Sequence, residues 1–289
     1  MVDPTLTLKD VSDAARELLR GAIDIHAHGS PDPYAKRSLD FRQLVAAAKA
    51  AGMGGLVLKS HEYTTAPVAW ALRDEFAGID LYGGLSLDWG MGGLNPEAVR
   101  VSMAIGAKVV WMPTFDAAHW QRERPAGRHS PAPGITILDG KGKLLPVCHE
   151  ILDAIKEHDA VLASGHLSSE ETDALLTEAR GRGIRSVITH ASFWIPTELQ
   201  QKIAGLGGYV EQVAVSVAYP DREGDWPKVL QQVRDLGPEH VILSSDFGQA
   251  TNPPVPVGFG WWIDRYLGAG LKPADIGRMV KDNPATLLN

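Results

Sequence analysis

Residues 22–28 read Ala-Ile-Asp-Ile-His-Ala-His, an apolar run that ends in two histidines. Because side chains alternate between the two faces of an extended strand, Asp24, His26 and His28 point to the same side. Neighbouring neutral imidazoles suit a divalent cation such as zinc, iron, nickel or copper. Gly29-Ser-Pro then predicts the end of the strand, so the histidines lie at its carboxyl end, where α/β barrels carry their chemistry. The alternative is that two surface histidines fell at this spacing by chance.

Short apolar runs alternate with helical patterns along the rest of the chain. Most runs are rich in Val, Ile and Leu without clean alternation, which is typical of strands buried on both faces. The candidate strands cover residues 22–26, 54–59, 80–86, 107–112, 160–165, 185–190, 208–213 and 240–245. Strands separated by helices in this way predict a parallel (β/α)8 TIM barrel. We expect a single domain over residues 1–289, with an N-terminal extension over 1–20.

Helix-start signals stand between these strands. Residues 39–51 carry apolar residues at helical spacing, and Asn95-Pro-Glu places a proline at a plausible first helical position. Ser168-Ser-Glu-Glu is a capping box, and Pro196 and Pro273 each open a further helix.

The stretch 113–145 breaks the alternation of strands and helices. It follows the fourth strand and is long for a loop in a compact domain, which is typical of functional segments. We therefore expect an active-site loop here. Its Arg122, Arg124 and Arg128 either meet an anionic substrate or simply solvate the loop.

Composition restricts the classes of function. The chain has 289 residues, a formal net charge of −7 and no basic block, so neither nucleic acid nor a membrane is an expected partner. The polar start predicts no signal peptide, and no apolar run is long enough to span a bilayer. The single cysteine, Cys148, excludes an internal disulfide and favours a cytoplasmic protein. It lies in Leu145-Pro-Val-Cys-His-Glu-Ile, which predicts a buried thiol on an amphipathic helix rather than a nucleophile.

Charged or imidazole side chains end six of the predicted strands. Such groups are costly to bury without a partner, and their types are those of a metal site. In a barrel they converge on one mouth. The residues are His26 and His28, then Lys59 and His61, then His166, His190, Glu211 and Asp246.

This set resembles the amidohydrolase superfamily. His26-Ala-His28, His166, His190 and Asp246 match the order of the metal ligands in that superfamily, and Asn283-Pro-Ala-Thr-Leu-Leu is similar to its C-terminal helix. The likeness runs from about residue 20 to the end. Four further segments resemble one branch of amidohydrolase-like sequences, which supplies no substrate: Leu58-Lys-Ser-His, Gly92-Gly-Leu-Asn-Pro-Glu, Trp111-Met-Pro-Thr-Phe-Asp and Ser164-Gly-His-Leu-Ser.

The fourth strand departs from the superfamily pattern. Members with two metals often bridge them with a carbamylated lysine from this strand, but here it ends Val110-Trp-Met-Pro-Thr. The only lysine at a strand end is Lys59, on the second strand. It either bridges two metals as a carbamate, binds a substrate carboxylate as a cation, or forms a salt bridge at the barrel mouth with a group such as Glu211.

The resemblance implies a metal-dependent hydrolase that cleaves an amide, a cyclic amide or a lactone. It implies that His26, His28, Lys59, His166, His190 and Asp246 hold one or two divalent ions. Zinc is the first expectation, with manganese, iron and nickel as alternatives. Asp246 occupies the position of the general base, and His190 and Lys59 are further catalytic candidates. Asp24 either orients one imidazole or has a structural role.

A small molecule is the expected substrate. His61, Tyr63, Trp111 and His129 are the candidate substrate-binding residues, although aromatic residues more often serve packing. Barrels of this class often associate, so a homo-oligomer is an open alternative.

Three other functions are alternatives to the hydrolase, and the sequence supports them to different degrees. A metal-dependent lyase or decarboxylase on the same scaffold fits the missing lysine of the fourth strand. A metal-dependent phosphoesterase also begins with His-x-His, but Pro31-Asp-Pro-Tyr does not resemble its continuation. A metal-free binding protein has no support, since every expected ligand type is present.

Overall fold

The computed structural model describes residues 2–124, 130–219 and 221–289. Parallel strands follow one another in chain order around a single sheet, and each predicted strand coincides with an observed one. The predicted (β/α)8 TIM barrel is confirmed. The strands are β1 (Ile23–His28), β2 (Gly55–Lys59), β3 (Asp80–Ser86), β4 (Ala107–Trp111), β5 (Val161–Ala163), β6 (Arg185–Ile188), β7 (Tyr209–Val213) and β8 (Val241–Ser244).

Helices surround the barrel and cover its amino end. They are α1 (Asp13–Leu19), α2 (Phe41–Ala50), α3 (Ala66–Leu72), α4 (Pro96–Ile105), α5 (Ala118–Glu123), α6 (Pro146–Glu157), α7 (Ser169–Gly181), α8 (Ala191–Trp194), α9 (Thr197–Gly205), α10 (Trp226–Leu236), α11 (Val255–Gly268), α12 (Pro273–Gly277) and α13 (Asn283–Leu288). None of the helices in the described part of the chain is long and apolar enough to cross a membrane.

The helix-start signals act as the sequence predicts. Ser168 and Glu171 form a reciprocal capping box at the start of α7, and Asn95 accepts hydrogen bonds from two backbone N–H groups at the start of α4. These side chains satisfy backbone donors that the first turn of a helix leaves unpaired. Cys148 lies fully buried in α6, and burial raises the pKa of its thiol to about 11, so its packing role is confirmed.

The barrel closes through the residues that follow β8. The backbone N–H of Asp246 donates to the carbonyl of His26 (2.9 Å), and the N–H of His28 donates to the carbonyl of Phe247 (2.9 Å). Ala27 and Phe247 form an isolated parallel bridge between these bonds. Closure therefore places Asp246 and Phe247, which follow β8, directly beside the two histidines of β1.

Apolar side chains fill the barrel interior towards its amino end. Ile23 and Ile242 pack there with Leu287 and Leu288 of α13, the C-terminal helix that the resemblance implied. The buried Asn283 donates from its amide nitrogen to two carbonyl oxygens, each at 2.7 Å, at the start of β8. Apolar side chains and a hydrogen-bonded amide thus fill this end, as expected of the end of a barrel that serves stability.

Candidate metal centre

His26 and His28 lie on β1 and turn their imidazoles into the mouth of the barrel. Both side chains are almost fully buried, and their ring centroids are 5.3 Å apart. The Nε2 atom of His26 lies 3.2 Å from Oδ1 of Asp246, and the Nε2 atom of His28 lies 3.1 Å from the same oxygen. The ligand atoms of these three residues lie within 4.8 Å of one another. The alternating strand therefore places its two histidines as the sequence predicts.

Backbone strain accompanies the two residues that complete this group. Asp246 and His190 both have a φ of 51°, in the left-handed region that L-residues rarely adopt. Such a conformation costs about 1–3 kcal/mol and persists where the surrounding structure enforces it, often at functional sites. Nε2 of His190 lies 3.1 Å from Oδ2 of Asp246. Both oxygens of this carboxylate thus face imidazole nitrogens.

His166 and His190 carry buried nitrogen atoms that lack partners. Neither ring nitrogen of His166, nor Nδ1 of His190, has a hydrogen-bond partner among the described residues, whereas Nε2 of His190 faces Asp246. The two rings are 4.9 Å apart. A buried polar atom without a partner costs roughly 1–3 kcal/mol, so native proteins seldom leave one unless an ion, a water or a ligand satisfies it. The unpartnered nitrogens therefore fit a metal centre, as their residue types do.

Glu211 fixes the orientation of His26. Its carboxylate accepts hydrogen bonds from Nδ1 of His26 (3.0 Å), the hydroxyl of Ser244 (2.6 Å) and the backbone N–H of His190 (3.2 Å). When Nδ1 carries the proton, the lone pair of His26 lies on Nε2, which is the atom that faces Asp246. A carboxylate behind a ligating histidine is the usual arrangement in metal sites.

Asp24 accepts hydrogen bonds from backbone N–H groups rather than from an imidazole ring. Its Oδ1 accepts from the N–H groups of His26 and Ser245, both at 3.1 Å, and burial raises its pKa to about 7. Of the two roles considered for Asp24, the structure shows the structural one, and Glu211 is the residue that orients a ring. The sequence predicted Glu211 near the end of a strand, but it lies in the middle of β7 (Tyr209–Val213), where it points at His26.

The environment of the barrel mouth favours the protonation states in which these side chains bind a metal ion. Burial lowers the pKa values of His26, His28 and His166, so these imidazoles are neutral at neutral pH. Burial alone would raise the pKa of Asp246, but its interactions with His26 and His190 overcome this effect and hold that pKa well below its usual range. Neutral imidazoles beside an ionised carboxylate form a suitable donor set for zinc and related cations.

Lys59 lies beneath this group at the end of β2. Its Nζ is 2.9 Å from Nε2 of His26 and 5.1 Å from the centroid of the Trp111 ring, and burial lowers its pKa to about 8. The salt bridge to Glu211, one of three roles considered for Lys59, is not formed. A lysine with a lowered pKa is more readily neutral, which is the form that a carbamate requires.

A cavity of about 170 Å³ opens above the metal-ligand candidates. Of the predicted substrate-binding residues, His61 lines it, whereas the buried Trp111 packs inside the barrel and Tyr63 donates its hydroxyl proton to the carbonyl of Pro31 (2.6 Å). His129 lies outside the described residues. The cavity is lined by His28, Ala35, Arg37, His61, Phe115, Trp120, His166, His190, Phe193, Val215, Arg222, Asp246 and Gln249.

A hydrogen-bond network that the sequence did not predict supports His61. Nδ1 of His61 lies 2.6 Å from the hydroxyl of Thr114, and that hydroxyl also bonds to Asp88. Asp88 accepts from the backbone N–H groups of Thr114 (2.7 Å) and Asp116 (3.0 Å) as well. Asp88 therefore ties the end of β3 to the start of the 113–145 segment and holds His61 at the cavity.

The 113–145 segment contributes two aromatic walls. Phe115 and Trp120 line the cavity, with ring centroids 5.5 Å and 4.5 Å from that of His166. Arg122 pairs with Glu123, and Arg124 lies over the Trp120 ring, so neither lines the cavity. Arg128 lies outside the described residues. That this segment is an active-site loop stays a prediction, and its contacts with His166 agree with it.

Among the residues that the structure describes, two overlapping groups have metal-ligand spacing: His26, His28 and Asp246, and His26, His190 and Glu211. The first is the better site, because all its donor atoms face one another across the mouth. In the second, the carboxylate of Glu211 already accepts three hydrogen bonds. The metal-ligand roles predicted for His166, His190 and Lys59 stay predictions, and the fold brings all three side chains to the same mouth.

One family matches most of the chain. The Family of unknown function (DUF6282) covers residues 21–211, from β1 to the Glu211 position. The chain belongs to this family. Among curated protein sequences, none matches the chain. The DUF6282 match includes His26, His28, Lys59, His166 and His190, whereas Asp246 lies beyond it.

Several solved structures with a similar fold are named as hydrolases. An amidohydrolase from Pseudomonas aeruginosa is 13% identical over 95% of this chain and 98% of its own, with a TM-score of 0.66. A lactonase from Listeria monocytogenes is 13% identical over 95% and 96%, with a TM-score of 0.61. An organophosphorus hydrolase from Deinococcus radiodurans is 13% identical over 100% and 99%, with a TM-score of 0.60. The DUF6282 chain thus shares the barrel fold of these proteins.

Proposed function

We propose that this protein is a metal-dependent hydrolase that cleaves an amide, a cyclic amide or a lactone. The observation that carries the proposal is the buried convergence of His26, His28 and Asp246, with unpartnered nitrogens of His166 and His190 beside them. The named activities of proteins with the same barrel support the choice of substrates, although at 13% identity they share only the fold.

A divalent cation held by His26, His28 and Asp246 would lower the pKa of a bound water and polarise a carbonyl oxygen. Zinc fits imidazole and carboxylate donors, and manganese, iron and nickel are alternatives. The chemical state of Lys59, whose Nζ lies 2.9 Å from Nε2 of His26, decides whether a second ion is held nearby. A carbamate there bridges two ions, whereas an ammonium does not.

The residues at the barrel mouth have the remaining catalytic and positioning roles. Asp246 is ionised at neutral pH, so its carboxylate accepts a proton from water and passes it to the leaving group. His190 lies on the far side of the same carboxylate (3.1 Å) and is placed to contact a carbonyl oxygen. Glu211 holds His26 in one tautomer. Phe115 and Trp120 exclude water from the cavity.

The test is turnover of a panel of amides, cyclic amides and lactones by the metal-loaded protein in ¹⁸O-labelled water. We expect one ¹⁸O atom in the carboxylate product. Asp246→Asn is expected to lower kcat/KM by roughly 10²–10⁴-fold per bound ion, the range of general acid–base catalysis. The matched control is Asp235→Asn on the surface of α10, which should leave activity unchanged.

Two results would contradict the proposal. Full activity of Asp246→Asn per bound ion would remove the general base. Turnover without ¹⁸O incorporation, such as carbon dioxide release from a carboxylic acid, would instead support a lyase on the same scaffold.

A further inference from the structure

The cavity above the metal-ligand candidates combines cationic and aromatic walls. Arg37 and Arg222 contribute its two guanidinium groups, and Phe115, Trp120 and Phe193 contribute its aromatic surface. Its volume of about 170 Å³ is below the roughly 300–1,000 Å³ of pockets for drug-sized ligands. The occupant is therefore small. Neither of these two arginines was predicted from the sequence to meet an anionic substrate. The predicted candidates were the arginines of the 113–145 segment.

Arg37 is held rigidly at one side of the cavity. Its backbone forms an antiparallel bridge with Gln249, which links the loop after β1 to the loop after β8. Its Nε and Nη2 atoms donate to one oxygen of Asp32, at 2.8 Å and 2.6 Å, and its side chain is 4% exposed. A guanidinium has five N–H donors, so this pair leaves donors available to a ligand.

Arg222 lies at the other side, over the ring of Phe193, with 4.8 Å between its Cζ atom and the ring centroid. It is half-buried, and no residue in the described ranges forms a hydrogen bond or an ion pair with its guanidinium. A partly buried cation without a hydrogen-bonded counter-charge is costly, and Asp221 and Asp225 act on Arg222 only through space. A ligand that brings an anionic group to this position would remove that cost.

We propose that the substrate is a small organic carboxylate with an apolar or aromatic body. Its carboxylate binds the guanidinium of Arg222, since a guanidinium fork matches a planar carboxylate, and Arg37 at the other side adds a second positive charge to the cavity. Its body lies against Phe115 and Trp120, and its scissile group faces His28 and Asp246. The choice of reaction rests on the hydrolase proposed above, whereas the binding of the anion does not.

The experiment measures binding, so that it is independent of turnover. Benzoate and the uncharged benzamide, which have nearly the same shape, are titrated calorimetrically into the metal-loaded protein, into Arg222→Gln and into Arg265→Gln. Arg265 is the matched control: it also lies over an aromatic ring, 4.7 Å from the Trp226 centroid, and does not line the cavity.

We expect benzoate to bind wild type more tightly than benzamide. Arg222→Gln should weaken benzoate binding by about tenfold or more, because a charge-assisted hydrogen bond is lost. It should leave benzamide binding unchanged, and Arg265→Gln should change neither. Equal binding of the two probes to wild type, or equal benzoate binding to wild type and Arg222→Gln, would overturn the proposal.

The outcomes separate this inference from the hydrolase proposal. If benzoate binds through Arg222 but no amide or lactone is hydrolysed, the anion site stands and the hydrolase does not. If only uncharged substrates are hydrolysed, and with the same KM in Arg222→Gln, the hydrolase stands and the anion site does not.

Discussion

The two ends of the barrel are built on opposite principles. At the amino end, Leu287 and Leu288 fill the interior, and the one buried amide, Asn283, has both its donors satisfied. At the carboxyl end, His166 and His190 are as deeply buried, yet both ring nitrogens of His166 and Nδ1 of His190 have no hydrogen-bond partner among the described residues. The same sheet carries both arrangements.

The difference teaches which end is shaped by stability and which by a ligand. Satisfied polar groups and close-packed leucines lower the free energy of the folded chain by themselves. Unpartnered nitrogens and two left-handed residues, Asp246 and His190, raise it unless something binds. TIM barrels generally separate the two tasks in this way. Changes at the two ends should therefore have opposite consequences.

Leu287→Ala should have the largest effect on stability. Leu287 is 1% exposed in the barrel interior, and truncating a buried leucine costs roughly 2–5 kcal/mol. Chemical denaturation of the metal-free chain measures it, with Thr286→Ala on the exposed side of α13 as the control. Metal content per folded chain should not change. A metal content that falls together with stability would show that the two ends are not separate.

The matched change at the carboxyl end is His166→Leu, in the same metal-free chain. It removes two buried nitrogens without partners, so no stability should be lost and some is gained. A loss as large as that of Leu287→Ala would contradict the contrast between the ends.

Glu211→Gln should lower metal affinity by roughly 10–100-fold, the usual effect of removing the carboxylate behind a ligating histidine. The substitution keeps the shape but removes the charge that holds Nδ1 of His26. Titration with a competing chelator measures the affinity. The control is Glu171→Gln. Glu171 is another buried carboxylate, but it accepts hydrogen bonds from Thr136 and Ile137 rather than from a histidine. Equal affinities of both variants would assign Glu211 a merely structural role.

Asp88 should affect the slope of stability against pH rather than the metal affinity. Burial raises its pKa from 3.8 to about 7. The folded chain therefore holds a proton that the unfolded chain has lost between these values, so the contribution is full below about pH 4 and is lost as the pH rises through 7. Asp88→Asn cannot titrate, and its unfolding free energy should fall less steeply over this range. Parallel curves for the variant and wild type would contradict the prediction.

Much of the fold and the core of the site were predictable. Apolar runs with buried faces located the strands, and a residue at the carboxyl end of a strand must reach the mouth in a parallel barrel. That rule was enough for His26, His28, His166, His190 and Asp246 to converge in one site. It needs no knowledge of side-chain contacts.

The remaining features depend on contacts that no local pattern contains. Glu211 bonds to His26, 185 residues away in the chain, because closure of the barrel leaves only β8 between β7 and β1. Arg37 and Arg222 come from loops whose paths depend on a backbone bridge and on ring stacking. Trp111 was expected near substrate, but its strand position turns it inward against Lys59.

The most direct test of the central claim is the metal content of the purified chain after dialysis, measured by mass spectrometry beside its folded fraction. The account predicts about one or two divalent ions per wild-type chain, the same content in Leu287→Ala, and a loss in a variant that combines His26→Asn with His28→Asn. A fully folded wild-type chain that retains no metal, even after incubation with zinc, manganese, iron or nickel, would contradict it.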